Sequence, residues 1–357
     1  MVNAVLPQTQ AETSPGFALP QDVSRGLSAI FVLLAGWLAL ALTAFMLLPS
    51  GNVAERNIGD VASIYFGHAA KNGLPLVMLA GAVVYIGSAI KRRGTDGPLI
   101  NPTALAKEAG FALLGLLVFA LMIFAYSTLK VRIPAILPFA WDEAFADWDR
   151  ALFLGHDPWT LVTFLYGFPK IVSGLETLYS VWAGFLAGSF LICFAMAARG
   201  QPTALRLPLA LMLAWLIGGN ILALALSSAG PCYYGLVVGG PDPFAAQMAQ
   251  LQALPSGTVD ATLDYQSMLW AVHAGDGLGL GGISAMPSMH CTTSLLFVCA
   301  FWHRKIWRVV AILFALVIWI SSVLLAWHYA LDGVLALPVA IGCWWLAGHF
   351  LQKAART

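Results

Sequence analysis

Eight stretches of this chain are apolar over nearly the length a helix needs to cross a bilayer, and that feature constrains the fold before any other. About 20 apolar residues span the hydrocarbon core. The stretches fall near residues 27–49, 74–90, 109–129, 171–197, 205–228, 289–303, 306–328 and 331–350. Of the 357 residues 60% are hydrophobic and only 10% charged, and mean hydropathy is +0.81. Soluble domains carry about a quarter charged residues, so the sequence predicts an all-α, polytopic membrane protein of about eight transmembrane helices. Net charge is +1 with no basic block, which excludes nucleic acid as an expected partner. The five cysteines lie mostly inside apolar runs and read as small core residues, not a disulfide framework.

The first run is too long for a signal-peptide core and no A-x-A site follows it, so it reads as an uncleaved span. Orientation follows from lysine and arginine. With the N-terminus inside, Arg25, Lys91, Arg92, Arg93, Lys107, Arg199, Arg206, Arg304, Lys305, Arg308, Lys353 and Arg356 are cytoplasmic, 12 of the 18 basic residues. Both termini are then expected in the cytoplasm. The expected order is a polar tail (1–26), a hairpin and cytoplasmic loop (27–108), a six-span core (109–350) and a short tail (351–357). Two segments of the core, 130–170 and 229–288, fall on the other side. The first contains "KVRIPAILPFAWDEAFADWDRALFLGHDPW", whose mixture of aromatics and acids reads as interfacial and amphipathic. There is no internal repeat and no low-complexity tract.

The chemistry converges on that outer face. "GGISAMPSMHCTTSLLF" sets His290 at the mouth of the sixth span, and "SSVLLAWHYALDG" sets His328 at the end of the seventh. The chain runs inward from 290 and returns over about 20 residues, so both histidines reach one face. Asp332 follows His328 by one helical turn and can fix its tautomer and stabilise its charged form. Pro287, Ser288 and Met289 open a helix whose free N–H groups form an anion site. Two histidines, a carboxylate and an anion cradle suggest phosphoryl transfer through a phosphohistidine. A metal held by His290, His328 and Asp332 lacks a fourth N or S ligand, and no cofactor is called for. The sixth span is about 15 residues against the usual 20, which would recess the site for a lipid arriving sideways.

"PSMH" and "HYALD" resemble the second and third signatures of the type 2 phosphatidic acid phosphatase superfamily, P-S-G-H and S-R-x5-H-x3-D, and the likeness extends over roughly 109–350. The resemblance implies a six-helix core in which His328 is the nucleophile and Asp332 orients it. It makes His290 the general acid that protonates the leaving oxygen, and Ser288 a ligand of phosphate oxygens. "GPCYYG" resembles the equivalent loop of the inositol phosphorylceramide synthase branch. Two departures stand out: Ser322 occupies the arginine position of the third signature, and no K-x6-R-P precedes the outer end of the fifth span. A phosphodiester carries one negative charge where a monoester carries nearly two, so losing cations points to a diester donor.

The expected function is therefore a membrane phosphotransferase that moves a phospholipid headgroup phosphate to a lipid or polyol alcohol. A lipid phosphate or isoprenoid diphosphate phosphatase would use the same residues, and a proton-coupled transporter or channel is the alternative of another class. Lys130 and Arg132 either replace the missing cations or anchor the helix at the interface. Tyr233 and Tyr234 either line the headgroup site or belong to the aromatic belt. Glu176, near a span end, is either functional or solvated. The sidedness suggests a bacterial inner membrane with the site on the periplasmic face.

Overall fold

The computed structural model describes residues 19–48, 102–275 and 281–356. Among them there is no strand. The helices are α1 (Gln21–Leu47), α2 (Pro102–Lys130), α3 (Asp142–Leu152), α4 (Pro169–Ala198) and α5 (Arg206–Leu216). They continue with α6 (Ala245–Gln252), α7 (Asp260–Ala274), α8 (Met289–Phe301), α9 (Lys305–Leu324) and α10 (Ala330–Arg356). Among the described residues six helical segments are long and apolar enough to cross a membrane: α1, α2 with its extension to Ile136, α4, α5 with its extension to Ala225, α9 and α10. The chain folds as an all-α polytopic membrane protein. The span expected at 74–90 lies outside the described residues.

The sequence's short sixth span is α8, only 13 residues long. It packs between α9 and α10 and against α5. The first helix, expected in an added hairpin, packs directly on α2, α5 and α10. Trp37 of α1 donates its indole N–H to Oδ1 of Asn220 at 3.1 Å, and Asn220 Nδ2 donates to the Tyr126 carbonyl at 3.2 Å. Interhelical bonds of this kind contribute about 0.6 kcal/mol on average in a bilayer, where close packing does most of the work. Small residues permit that packing. A Cβ at Gly115 would lie 2.7 Å from the Phe190 carbonyl oxygen, so α2 and α4 touch through a glycine.

At Ile217–Leu222 the helix begun by α5 widens into a π-helical turn. Its Gly219 leaves room for Tyr126 Cε2, which a Cβ would approach to 2.7 Å. Its Gly218 would meet Met289 Sδ at 3.1 Å and Pro287 Cγ at 3.4 Å. The two glycines thus seat the turn that opens α8. At the opposite end of the bundle Gly26 packs on Leu205 and Leu351, and Arg199 pairs with Glu108 at 2.7 Å. The start of α1, the end of α10 and the α4–α5 connection therefore share one end.

The other end carries α3, α6 and α7 as a cap. Glu176 lies near the start of α4, and its carboxylate accepts the N–H of Thr262 at 2.8 Å, which ties α7 to the bundle. The α9 carbonyls would point outward without partners. Instead Gln247 of α6 donates to the Val323 carbonyl at 2.7 Å, Tyr166 to Leu324 at 2.6 Å, and Gln266 of α7 to Leu325 at 3.0 Å.

Candidate active site

The loop from 325 to 329 joins α9 to α10 and begins with a tight reversal. Ala326 takes a left-handed backbone (φ 56°), Ala326 N–H bonds to the Val323 carbonyl, and Trp327 N–H bonds to Ser322. This is a Schellman turn with alanine in the place glycine usually fills. The N–H of His328 also bonds to the Ser322 carbonyl at 3.2 Å, so the backbone of His328 is fixed by the end of α9.

The imidazole of His328 points along α10. Its Nδ1 lies 2.8 Å from Oδ2 of Asp332, which is fully buried. With the Nδ1 proton facing the carboxylate, Nε2 keeps its lone pair. His290, in the first turn of α8, has its ring centroid 6.3 Å from that of His328, at an interplanar angle of 61°. The two histidines and the aspartate that the sequence separates by up to 42 positions thus come together in the fold. Among the described residues no three His, Cys, Asp or Glu side chains converge to hold a metal ion.

Ser288 is the N-cap of α8. Its Oγ accepts the Cys291 N–H at 3.4 Å, and its own N–H bonds to the Asp332 carbonyl at 3.4 Å. That bond joins the turn carrying His290 to the helix carrying Asp332. Pro287 and Met289 are buried against the α5 extension and seat the turn.

The remaining expected residues divide. Lys130 ends α2 with its ammonium 5.4 Å from the Tyr126 ring. Arg132 instead lies over Phe45 of α1, 5.0 Å from the ring, and donates to the Thr128 carbonyl at 2.7 Å. Ser322 is fully buried, and its hydroxyl donates back to the Trp319 carbonyl at 2.7 Å. Tyr233 donates to the Gln266 carbonyl at 2.9 Å and stacks on Trp270, while Tyr234 packs against Phe244. Both tyrosines are buried in the cap.

Two residues escaped the sequence reading. Tyr179 stacks on His290 with centroids 4.1 Å apart and planes 11° apart, and Trp182 packs on the same ring at 4.0 Å. They are one turn apart on α4, and their spacing, Y-x-x-W, could have marked one face aimed at the site. The Tyr179 hydroxyl and the Trp182 indole N–H are buried with no hydrogen-bond partner among the described residues.

A paired imidazole and carboxylate, a second imidazole and a capped helix N-terminus are thus held together among membrane-spanning helices. The chain matches the model of the PAP2 superfamily over residues 143–346, more than half its length, and it belongs to that superfamily. It is an enzyme of the type 2 phosphatidic acid phosphatase class, whose chemistry is phosphatase or phosphotransferase. No curated protein and no solved structure matches it.

Proposed function

We propose that the protein is a phosphotransferase that acts on phospholipid phosphodiesters and moves a headgroup phosphate to a lipid or polyol alcohol, in the manner of inositol phosphorylceramide synthases. The observation that carries this reading is the charge around the histidines. Serine stands at 322, where the superfamily's signature has arginine, and Arg132 is engaged with Phe45 and Thr128. Lys130, at the end of α2, is the cation we assign to the phosphate. One positive charge suits the single negative charge of a diester better than the near two of a monoester.

In this reading Nε2 of His328 bonds to phosphorus as the bond from phosphorus to the diacylglycerol oxygen breaks. Protonated His290 gives its proton to that oxygen. Asp332 holds the Nδ1 proton and offsets the positive charge of the phosphohistidine. Neutral His290 then takes the proton of the acceptor hydroxyl, whose oxygen displaces His328 from phosphorus. Both rings return to their starting states. Ser288 and the first N–H groups of α8 hold the phosphate oxygens.

The site lies at the end of the bundle away from Arg199, Arg206, Arg304, Lys305 and Arg308, which supports an outward-facing site, periplasmic in a bacterial inner membrane. The test is product release by purified protein given a labelled phospholipid, with and without an added alcohol. The proposal expects label on the alcohol. Label appearing only as water-derived headgroup phosphate, whatever alcohol is present, would replace it with the phosphatase reading.

A further inference from the structure

The amphipathic segment before α4 forms α3, and its polar face is divided. Glu143 and Asp147 are exposed, and Asp147 pairs with Arg150 at 3.3 Å. Asp142 and Asp149 are each only 2% exposed. They are seven residues apart, two turns, and so share one face of the helix. Neither forms an ion pair with a cation among the described residues. Burying a carboxylate costs several kcal/mol unless its oxygens are fully engaged.

They are fully engaged, and the partners are informative. Asp149 accepts the N–H of Ala330 on one oxygen and the N–H of Leu331 on the other, both at 2.7 Å. Asp142 accepts the Tyr329 hydroxyl at 2.8 Å, the Gly230 N–H at 2.8 Å, and the Ala229 N–H on both oxygens. Each of the three residues that follow His328 is therefore held by one of these two carboxylates. The three residues on the other side of the turn, 323 to 325, are held by Gln247, Tyr166 and Gln266. The Asp149 carboxylate grips the N–H end of α10 and neutral donors grip the C=O end of α9, which is the pairing that helix polarity favours.

We infer that Asp142 and Asp149 are positioning residues for the reaction: from α3 they fix the loop that carries His328, so that its ring meets Asp332 and His290 in one geometry. They touch no reacting atom. This inference rests on the reading of His328 as nucleophile. A displacement of about 1 Å at a reacting group can cost on the order of 10²-fold in rate. The carboxylates therefore control turnover through the loop, with little effect on how tightly substrate binds.

The experiment uses the full-length protein in detergent micelles and bis(p-nitrophenyl) phosphate as probe. Wild type, His328→Ala, Asp149→Asn and Tyr329→Phe are compared below their melting temperatures. Asp149→Asn converts an acceptor of two N–H groups into a group that opposes one of them. It is expected to lower kcat on the order of 10²-fold with KM changed less than about twofold. Tyr329→Phe removes one tether and is expected to lower kcat about threefold to tenfold, again without a change in KM. The downfield proton resonance of His328 Nδ1–H bonded to Asp332 is expected to shift or broaden in Asp149→Asn. Wild-type kcat in Asp149→Asn, or an unchanged resonance, overturns the inference. If Asp149→Asn does not fold, Tyr329→Phe decides, and wild-type kcat there overturns it. Activity surviving in His328→Ala would remove the nucleophile reading itself; an inert His328→Ala beside a fully active Asp149→Asn removes the positioning role alone.

Discussion

Tyr179 and His290 lie ring on ring, 4.1 Å between centroids, so the histidine that opens α8 is braced by a residue of α4. The brace is in the ring and not in the hydroxyl, which is buried without a hydrogen-bond partner among the described residues. Tyr179→Phe keeps the stack and removes an unsatisfied group, so stability is expected to hold or rise. Tyr179→Ala removes the stack and leaves a cavity, at a cost of about 3–5 kcal/mol. Thermal unfolding of the three proteins checks the order. A Tyr179→Phe protein that unfolds as early as Tyr179→Ala would place the contribution in the hydroxyl.

His328→Ala is expected to abolish turnover while leaving folded protein. Asp332→Asn keeps the shape of the side chain but no longer favours the Nδ1–H tautomer, and its rate is expected to fall about 10²- to 10⁴-fold. Single-turnover kinetics with a labelled diester, together with acid-labile label on the protein, separate loss of the phosphoenzyme from loss of substrate binding.

Lys130 and Arg132 are two residues apart and expected to behave differently. Lys130→Met removes the cation assigned to the phosphate, and a charge-assisted contact of about 1.5–3 kcal/mol corresponds to a 10- to 100-fold rise in KM for an anionic diester. Arg132→Met should leave KM near the wild-type value, because its guanidinium lies over Phe45. Equal effects of the two substitutions on KM would contradict the assignment.

Asp149 also makes a pH prediction. Burial pushes its carboxyl up to about 7, the N–H groups of Leu331 and Ala330 oppose this, and the charges of Asp332 and Asp157 add to it. A carboxyl with a higher pKa folded than unfolded stabilises the fold fully below its unfolded value, about 4, and loses that contribution as pH rises through the folded value. The melting temperature of wild type relative to Asp149→Asn is therefore expected to fall between about pH 4 and pH 7 and to level off above. A difference that grows with pH across that window would show the opposite sign.

What could be read from the sequence follows the reach of periodicity. Helix lengths and the return of the chain from 290 to 328 brought the two histidines to one face, and α10 supplied Asp332 at the next turn. Ser288 was legible because an N-cap is local. Tyr179 and Trp182 were hidden because aromatics are common in spans, and which helix faces His290 is decided by packing between distant segments. Asp142 and Asp149 were hidden for another reason: four acids lie within eight positions of α3, and composition does not say which of them turn inward. Glu176 shows the same limit, since its partner Thr262 lies 86 residues away.

The 13 residues of α8 have a further consequence for the lipid around the enzyme. A helix of that length rises about 20 Å, roughly 10 Å less than an ordinary hydrocarbon core. Residues 289–300 are all buried or half-buried against α5, α9 and α10, so the shortfall lies inside the bundle and not at the lipid boundary. A lipid phosphate bound for His290 would therefore have to leave the headgroup layer and descend between helices to meet it.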